Sequence, residues 1–194
     1  MRGIVGDNVA RASGVIASAA SSDFVKIASG THSGTSLVMD NIFTSAYKIY
    51  QLHLYNCVND GGYLSMRGRE GGASGTSYTS ATYRYRTYVP YKTSSTSTTT
   101  GESSWADDHV RMNTWACSAD QPDNFTIDFV EPQSTSYRFR ARWHALENSS
   151  SMVGTNIGAF WLNTGASTVF TGLEFYENGG GSFDTGYALY GLKV

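Results

Sequence analysis

The stretch YRFRARWHA, residues 137 to 145, decides the fold class of this chain. Successive side chains of an extended strand point to opposite faces of the sheet. One face would therefore carry the apolar residues Tyr137, Phe139, Ala141, Trp143 and Ala145. The other face would carry the basic residues Arg138, Arg140, Arg142 and His144. A strand with one apolar and one charged face is typical of an antiparallel sheet that packs against a core on one side.

Composition extends this prediction to the whole chain. The 194 residues include 21 Gly and 13 Tyr, and only 15% of them are charged. Abundant glycine and tyrosine with few charged residues favour strands and turns over helices. The length suits one domain, or one domain with an appended arm. We therefore expect an all-β protein.

The positive charges are concentrated in one residue type. Ten Arg stand against four Lys, while the formal net charge is -2 and the pI is about 6.0. A slightly acidic chain has no general attraction for nucleic acid or for an anionic membrane, so any basic surface must be local. Arginine is enriched where planar or bidentate contacts form at interfaces. Its excess over lysine therefore favours a protein whose positively charged side chains contact a partner.

Strand-like segments follow one another from residue 23 onward. Turn residues close them, as in NDGG at residues 59–62 and NGGGS at residues 178–182. We count roughly ten segments at the spacing that is typical of a β-sandwich or barrel. The low-complexity run KTSSTSTTTGESS, residues 92–104, predicts an exposed loop or a hairpin tip.

Alternation assigns faces in other segments as well. Phe125, Ile127 and Phe129 would share the buried face of their strand, with Asp128 opposite. A second strand would bury Tyr83, Tyr85 and Val89 and turn Arg84 and Arg86 outward. Arg67 and Arg69 form a third alternating pair. The arginine stripe of residues 138–142 is therefore not isolated.

The first 22 residues differ from the rest because they contain no aromatic residue and consist mostly of small side chains. This composition favours a flexible arm ahead of a domain that spans residues 23–194. The aliphatic residues Ile4, Val5 and Val9, together with Arg11, also suit a segment that docks on a neighbouring subunit. Anchor and linker both stay open at this point.

The two cysteines, Cys57 and Cys117, lie far apart in strand-like sequence. Two small buried thiols are the simpler interpretation, because free cysteine is among the most buried residue types. A disulfide between them also stays open. No segment resembles a secretory signal, and no apolar run approaches the roughly 20 residues that a membrane helix needs. We expect no membrane association.

No catalytic constellation emerges from the sequence. The four histidines are scattered and lack the spacing of a zinc motif; they are His32, His53, His109 and His144. The stretch 107–109, Asp-Asp-His, follows a Ser/Thr-rich loop, so solvated charges in an exposed turn are the simpler interpretation there. Glu174 and Glu177 would lie on opposite faces of one strand, which argues against a paired-carboxylate site. We therefore expect a non-enzymatic protein with no metal or cofactor.

Exposed aromatic rings offer another possibility, a platform for sugar binding. Trp105 and the tyrosine-rich strand at residues 83–91 would be the natural choice, although aromatic residues in a sandwich usually belong to the core.

Three accounts compete for the stripe formed by Arg138, Arg140 and Arg142. Acidic residues on neighbouring strands could pair with it, each pair contributing roughly 0.2 to 1 kcal/mol; the candidates are Asp128, Glu131 and Glu174. The stripe could instead form a subunit interface, where charge complementarity sets register. It could also bind an anionic polysaccharide. Nucleic acid fits least, because the chain is acidic and lysine is scarce.

Four segments together resemble a group of tailed-bacteriophage virion proteins, jelly-roll-like β-domains that serve as tail-fibre modules and capsid decoration proteins. These segments are VKIASGT (25–31), YKIYQLHLYNCVNDGGYLSMRG (47–68), SYRFRARWHA (136–145) and TGLEFYENGGGSFDTGYALYGLKV (171–194). The closing strand, ending Tyr-x-Leu-Tyr-Gly-Leu-Lys, is the most characteristic piece. The resemblance covers residues 24–194 and implies a virion component that forms a homotrimer.

The resulting expectation is an all-β, jelly-roll-like antiparallel sandwich with a short N-terminal arm. Its function would be that of a non-enzymatic outer capsid decoration or cement protein on the virion surface, bridging subunits of the major capsid protein. The expected contacts are Ile4, Val5, Val9 and Arg11 in the arm and Arg138, Arg140 and Arg142 in the sheet. The alternative is a tail or tail-fibre component that binds host glycan through the loops at residues 93–104 and 178–186. A free carbohydrate-binding module is a third possibility.

Overall fold

The computed structural model describes residues 24–59, 61–92, 97–113, 117, 122–149, 152–163 and 168–192. Over these residues the fold is all-β, with fourteen strands, one 3-10 turn at Gly72–Ser74 and no α-helix. Two antiparallel sheets pack face to face as a jelly-roll-like sandwich. The predicted fold class is confirmed.

The larger sheet contains nine strands, all paired antiparallel. They are β1 (Phe24–Gly34), β3 (Ile49–Asn59), β6 (Tyr83–Lys92), β7 (Ser97–Thr100), β8 (Ser103–Asp107), β10 (Asp123–Val130), β11 (Arg140–Ser149), β12 (Met152–Leu162) and β14 (Phe183–Leu192). Their order across the sheet is β1-β14-β3-β10-β11-β12-β6-β7, and β8 also pairs with β6. Chain neighbours β10, β11 and β12 form a meander in the middle of the sheet.

The smaller sheet contains five strands in the order β2-β13-β4-β5, with β9 also paired to β4. They are β2 (Ser36–Met39), β4 (Leu64–Glu70), β5 (Thr76–Ser77), β9 (Val110–Arg111) and β13 (Gly172–Glu177). The count of fourteen strands exceeds the roughly ten predicted segments, because short strands such as β5 and β9 carry too few residues for alternation to be visible.

The core lies between the two sheets and is dominated by aromatic residues. Phe139 packs against Phe170 with ring centroids 4.4 Å apart, and Phe43 approaches Phe129 at 5.3 Å. The Tyr83 hydroxyl joins the two sheets, because it accepts a hydrogen bond from the Gly68 amide at 2.8 Å. Burial raises the pKa of Tyr83 well above its ordinary value, so this hydroxyl stays protonated.

The alternation predicted for residues 137–145 is confirmed from Phe139 onward and is wrong at Tyr137, the first residue of the stretch. Phe139, Ala141, Trp143 and Ala145 are buried, and the arginines between them are exposed. Tyr137, predicted to join the apolar face, is 54% exposed. It lies in a bend ahead of β11, which begins only at Arg140, so period-two alternation does not yet apply to it.

Trp143 is anchored at the centre of the large sheet. Its indole nitrogen donates to the Met112 carbonyl at 3.1 Å and to Asn156 Oδ1 at 3.2 Å. Gly158 lies opposite Trp143 on β12, and any β-carbon there would overlap the indole ring. The absence of a side chain at residue 158 therefore lets a buried Trp fit between adjacent strands.

Both cysteines are buried free thiols, as the simpler of the two interpretations predicted. Asn113 Nδ2 lies 3.2 Å from Cys117 Sγ, and that thiol lies 3.1 Å from Asp123 Oδ2. A hydrogen bond with Cys57, burial and the Asp123 carboxylate all raise the pKa of the Cys117 thiol. The thiol form is therefore held in a polar pocket inside the core.

Two predicted segments fall partly or wholly outside the described residues. The arm at residues 1–22 and the domain start at residue 23 lie there, with the anchor candidates Ile4, Val5, Val9 and Arg11. In the low-complexity run of residues 92–104, residues 93–96 also lie outside. The rest of that run is not simply a loop, because it contributes β7 and the first residues of β8.

Candidate functional site

The arginine stripe lies on the outer face of the large sheet, as predicted. Arg140 and Arg142 project outward from β11, and Arg138 lies two residues before the start of that strand. Arg138 Nη1 donates to Asn163 Oδ1 at 3.4 Å. The Arg140 guanidinium carbon lies 5.7 Å from the Tyr137 ring centroid, within cation–π range.

Only one of the three acidic partners proposed for the stripe occupies that role. Arg142 Nε lies 3.0 Å from Asp128 Oδ2, which confirms the cross-strand pair between β10 and β11. Glu131 was a wrong candidate, because it lies 3.7 Å from Lys48 Nζ at the start of β3. Glu174 was also wrong, because it belongs to β13 of the smaller sheet and accepts from the Ser77 hydroxyl at 2.5 Å.

The stripe continues onto the next two strands of the sheet. Trp161 on β12 lies in register with Arg140 on one side and with Arg84 on the other. Ala159 lies in the same way between Arg142 and Arg86. Two arginines on each side of β12 therefore share one outward surface.

We call this surface the arginine–aromatic face. It consists of the five arginines Arg84, Arg86, Arg138, Arg140 and Arg142 and the aromatic residues Tyr88, Trp105, Tyr137 and Trp161. Each of the four aromatic residues is at least 40% exposed, and Trp105 reaches 67%. Several large exposed rings grouped on one face are characteristic of an interaction site, whereas single exposed apolar residues are ordinary.

Two grooves divide this face, with Trp161 lining both. The β8 groove has a volume of about 600 Å³ and lies among β6, β7, β8 and β12. The β11 groove has a volume of about 480 Å³ and is lined by the arginine stripe, Asp128, Tyr137 and Trp161. Both volumes fall in the range of small-ligand sites, which is roughly 300 to 1,000 Å³.

The arginine–aromatic face is electropositive in a chain of slightly negative net charge. Among the described residues, Arg84, Arg86, Arg138 and Arg140 form no ion pair with a carboxylate. Glu102 lies in the β8 groove, but its carboxylate is 3.2 Å from Arg111 Nη1 and is largely neutralised there. Four arginines thus keep their charge available for a partner.

The third pair of alternating arginines behaves differently. Arg69 Nε donates to Asp40 Oδ1 at 2.8 Å, and this bond raises the pKa of Arg69. Arg67 Nη2 lies 2.5 Å from Asp108 Oδ2. The Arg67 guanidinium group also lies over the Tyr176 ring, with its carbon 4.5 Å from the ring centroid. Since both guanidinium groups are held by carboxylates of this chain, these arginines support the smaller sheet.

Asp108 and His109 belong to a network of hydrogen bonds and ion pairs. The prediction that they are solvated charges in an exposed turn was therefore wrong for these two residues. His109 Nδ1 lies 2.6 Å from Asp108 Oδ1, and its Nε2 lies 3.2 Å from Asn178 Nδ2. Burial raises the pKa of Asp108, but hydrogen bonding from His109 and the charge of Arg67 outweigh burial and lower it overall. The network ties the loop before β9 to the turn after β13.

Two features are absent from the described ranges, a metal-binding cluster and a membrane-crossing helix. No group of three or more His, Cys, Asp or Glu side chains there is arranged to hold a metal ion. No helix in that part of the chain is long and apolar enough to cross a membrane.

Sequence reasoning singled out Trp105 and the arginines but missed the grooves. Trp105, Arg84 and Arg86 come together because β8 folds back onto β6, and Trp161 joins them from β12. The outward alternation of Ile157 and Trp161 was a readable signal, since Gly158, Phe160 and Leu162 alternate with them. The order of strands in the sheet was not readable, because it depends on non-local pairing.

Comparison with known proteins adds no family to this description. No protein-family model matches the chain, and no curated protein matches it. Among solved structures, a chain from "Structure of infectious bursal disease virus Gx strain" matches at 13% identity and a TM-score of 0.13. The alignment covers 87% of this chain and 41% of that one, so this protein spans about two fifths of its length. A likeness at this TM-score carries no argument about fold or function.

Proposed function

We propose that this chain is a non-enzymatic structural protein of a tailed-phage virion, acting as an outer capsid decoration or cement protein. The observation that carries the proposal is the arginine–aromatic face, with four arginines that lack a carboxylate partner among the described residues. The resemblance of residues 24–194 to phage decoration and tail-fibre domains supplies the setting. The major capsid protein is the proposed partner.

The proposed attachment combines charge and apolar burial. Arg138 and Arg140 are available to bind carboxylates on the shell in bidentate fashion, while Tyr137 and Trp161 lose their exposed area to the contact. Arginine and aromatic residues are the types that dominate interface energetics. A homotrimer would multiply such contacts through effective concentration, so that weak single contacts give lasting attachment.

The test is attachment to undecorated particles. The double variant Arg138→Glu/Arg140→Glu should lose saturable binding, because it reverses two charges in the β11 groove. Lys26→Glu/Lys48→Glu makes the same charge change elsewhere, since Lys26 is exposed on β1 and Lys48 precedes β3. That control should bind like the unmodified protein. Equal binding by both double variants would contradict the role of the stripe.

A copy-number measurement tests the location. Quantitative mass spectrometry of purified particles should give a simple ratio of this chain to the major shell protein. Absence of the chain from the particles would overturn the virion proposal itself.

A second candidate role is that of a tail or tail-fibre component that recognises host glycan. The observation that favours it is the β8 groove, where Trp105 is 67% exposed and the Arg84 guanidinium lies 5.2 Å from its ring centroid. A few copies per particle, in place of a ratio tied to the shell, would select this role.

A further inference from the structure

We propose that the β8 groove is a binding site for an acidic oligosaccharide, in which sugar rings lie against Trp105 and Trp161 and acid groups contact Arg84 and Arg86. The inference deepens the second candidate role and rests on it for its biological setting. The binding itself is a property of the isolated protein.

The first argument is the shape of the groove. Its floor is the outer surface of β6 and β12, and its wall is the edge formed by β7 and β8, which both pair with β6. The strand pairing of β7 and β8 holds this wall to β6. Glu102 lies between those two strands, where Thr87 N donates to Glu102 O at 2.8 Å and Glu102 N donates to Thr87 Oγ1 at 2.8 Å. Gly101 lies so close to the Thr87 carbonyl that no β-carbon fits there. The wall is therefore preformed, and a ligand does not have to order it.

The second argument is charge. Arg84 and Arg86 line the groove, and the Glu102 carboxylate there is paired with Arg111. Arg84 Nε is buried and has no hydrogen-bond partner among the described residues. The Arg84 guanidinium carbon lies 5.2 Å from the Trp105 ring centroid, so the positive charge and the exposed ring lie side by side in the groove. Carboxylate, sulfate and phosphate groups all match the fork of donors that arginine presents.

The third argument is the alternation of apolar and hydroxyl surface. Trp105 and Tyr88 are among the most exposed aromatic residues described, and Trp161 is 40% exposed. Beside these rings stand the hydroxyl side chains of Thr99, Thr100, Ser103 and Ser104. A sugar has apolar ring faces and hydroxyl edges, so one ligand can use both kinds of surface.

These three features favour a carbohydrate over a protein or a nucleic acid. A groove of about 600 Å³ is concave and accommodates a few sugar units, whereas a protein partner needs a broader patch. The net charge of -2 gives the chain no general attraction for a nucleic-acid backbone, so its basic surface is local to the arginine–aromatic face.

The experiment is a calorimetric titration of the full chain with defined oligosaccharides. The panel contains a uronic-acid oligomer, a sulfated oligomer, a phosphorylated oligomer and a neutral glucose oligomer of similar length. We expect saturable binding of at least one acidic oligomer, weakened by added salt, and at least about tenfold weaker binding of the neutral one. The three acidic ligands distinguish which acid group the arginines recognise.

Matched variants assign the site. Trp105→Ala and Arg86→Gln should each weaken acidic-sugar binding by about tenfold or more. Tyr137→Ala and Arg138→Gln likewise remove an aromatic ring and an arginine charge, but in the β11 groove. They should leave the affinity for the acidic sugar unchanged. Circular dichroism establishes that each variant is folded. If Trp105→Ala does not fold, the comparison of Arg86→Gln with Arg138→Gln still decides the assignment.

The outcomes separate this inference from the attachment proposal. Groove variants that lose sugar binding but still attach to particles would support the β8 groove as a separate site. No binding of any acidic oligomer, equal binding of the neutral oligomer, or unchanged affinity in both groove variants would overturn the inference. Binding of a short single-stranded DNA in place of the sugars would also overturn it.

Discussion

Arg142 donates to Asp128 across β10 and β11 at 3.0 Å, and Asp128 also accepts from Gln51 Nε2 at 2.9 Å. This polar chain links three adjacent strands of the large sheet. The stripe is therefore divided: Arg142 is tied to the sheet, while Arg138 and Arg140 have no carboxylate partner among the described residues.

That division predicts different stability effects along the stripe. The Arg142 side chain is 78% exposed, so its pair with Asp128 is worth roughly 0.2 to 1 kcal/mol. We expect Arg142→Ala to lower the free energy of unfolding by about that amount and Arg140→Ala to leave it nearly unchanged. Urea denaturation measures both. A larger loss in Arg140→Ala than in Arg142→Ala would mean that the stripe stabilises the fold in another way.

The close approach of β12 to Trp143 gives a second prediction. Gly158→Ala places a methyl group against the indole ring and should destabilise the protein by about 1 to 3 kcal/mol through overpacking. Ala159→Ser is the control, because residue 159 is the next one on β12 and faces outward. A Gly158→Ala variant as stable as the control would show that Trp143 can shift without cost.

The sequence predicted which side chains face the core but not which strands meet. Alternation placed Phe125, Ile127 and Phe129 inside and Arg84 and Arg86 outside, because a half-buried strand must separate apolar from charged residues. Tyr137 does not follow this alternation, because the chain bends before the strand begins at Arg140.

The pairing errors have a different physical origin. Glu131 and Glu174 were assigned to the stripe on charge alone, yet one lies beside Lys48 and the other in the opposite sheet. Which strand neighbours which depends on long-range packing that local sequence does not encode. The β8 groove was not predicted for the same reason, because it forms where the distant strand β12 joins the consecutive strands β6, β7 and β8.

Asp108 gives a prediction about pH. Its pKa is lowered below the ordinary value of 3.8, so its folded form binds a proton less readily than the unfolded chain does. Stability from this carboxylate is then fully present above about pH 3.8 and is lost as pH falls through the lower folded-state value. Asp108→Asn should cost roughly 0.2 to 1 kcal/mol at neutral pH, because the side chain is 42% exposed.

The measurement is a series of thermal melts of the wild type and Asp108→Asn from neutral to acidic pH. The difference in Tm should shrink once the pH drops below about 3.8. A difference that stays constant across the series would contradict the assigned ion pair with Arg67.

The two buried thiols give a prediction about reactivity. Contact with Cys57, burial and the nearby Asp123 carboxylate raise the pKa of Cys117, so its reactive thiolate form is suppressed. We expect both thiols to react with a thiol reagent only at the rate at which the native protein opens. Adding guanidinium chloride should make both react at once. Fast labelling of either cysteine in the native protein would contradict the buried positions.

The order of strands in the large sheet also sets a distance. The chain enters this sheet at Phe24 on β1, which is one edge, whereas Arg84 and Trp105 lie on β6 and β8 near the other. Six inter-strand steps separate β1 from β6 in that order, which amounts to roughly 30 Å at about 4.8 Å per step. A partner held at Phe24 and a ligand held in the β8 groove would therefore be separated by most of the width of the large sheet.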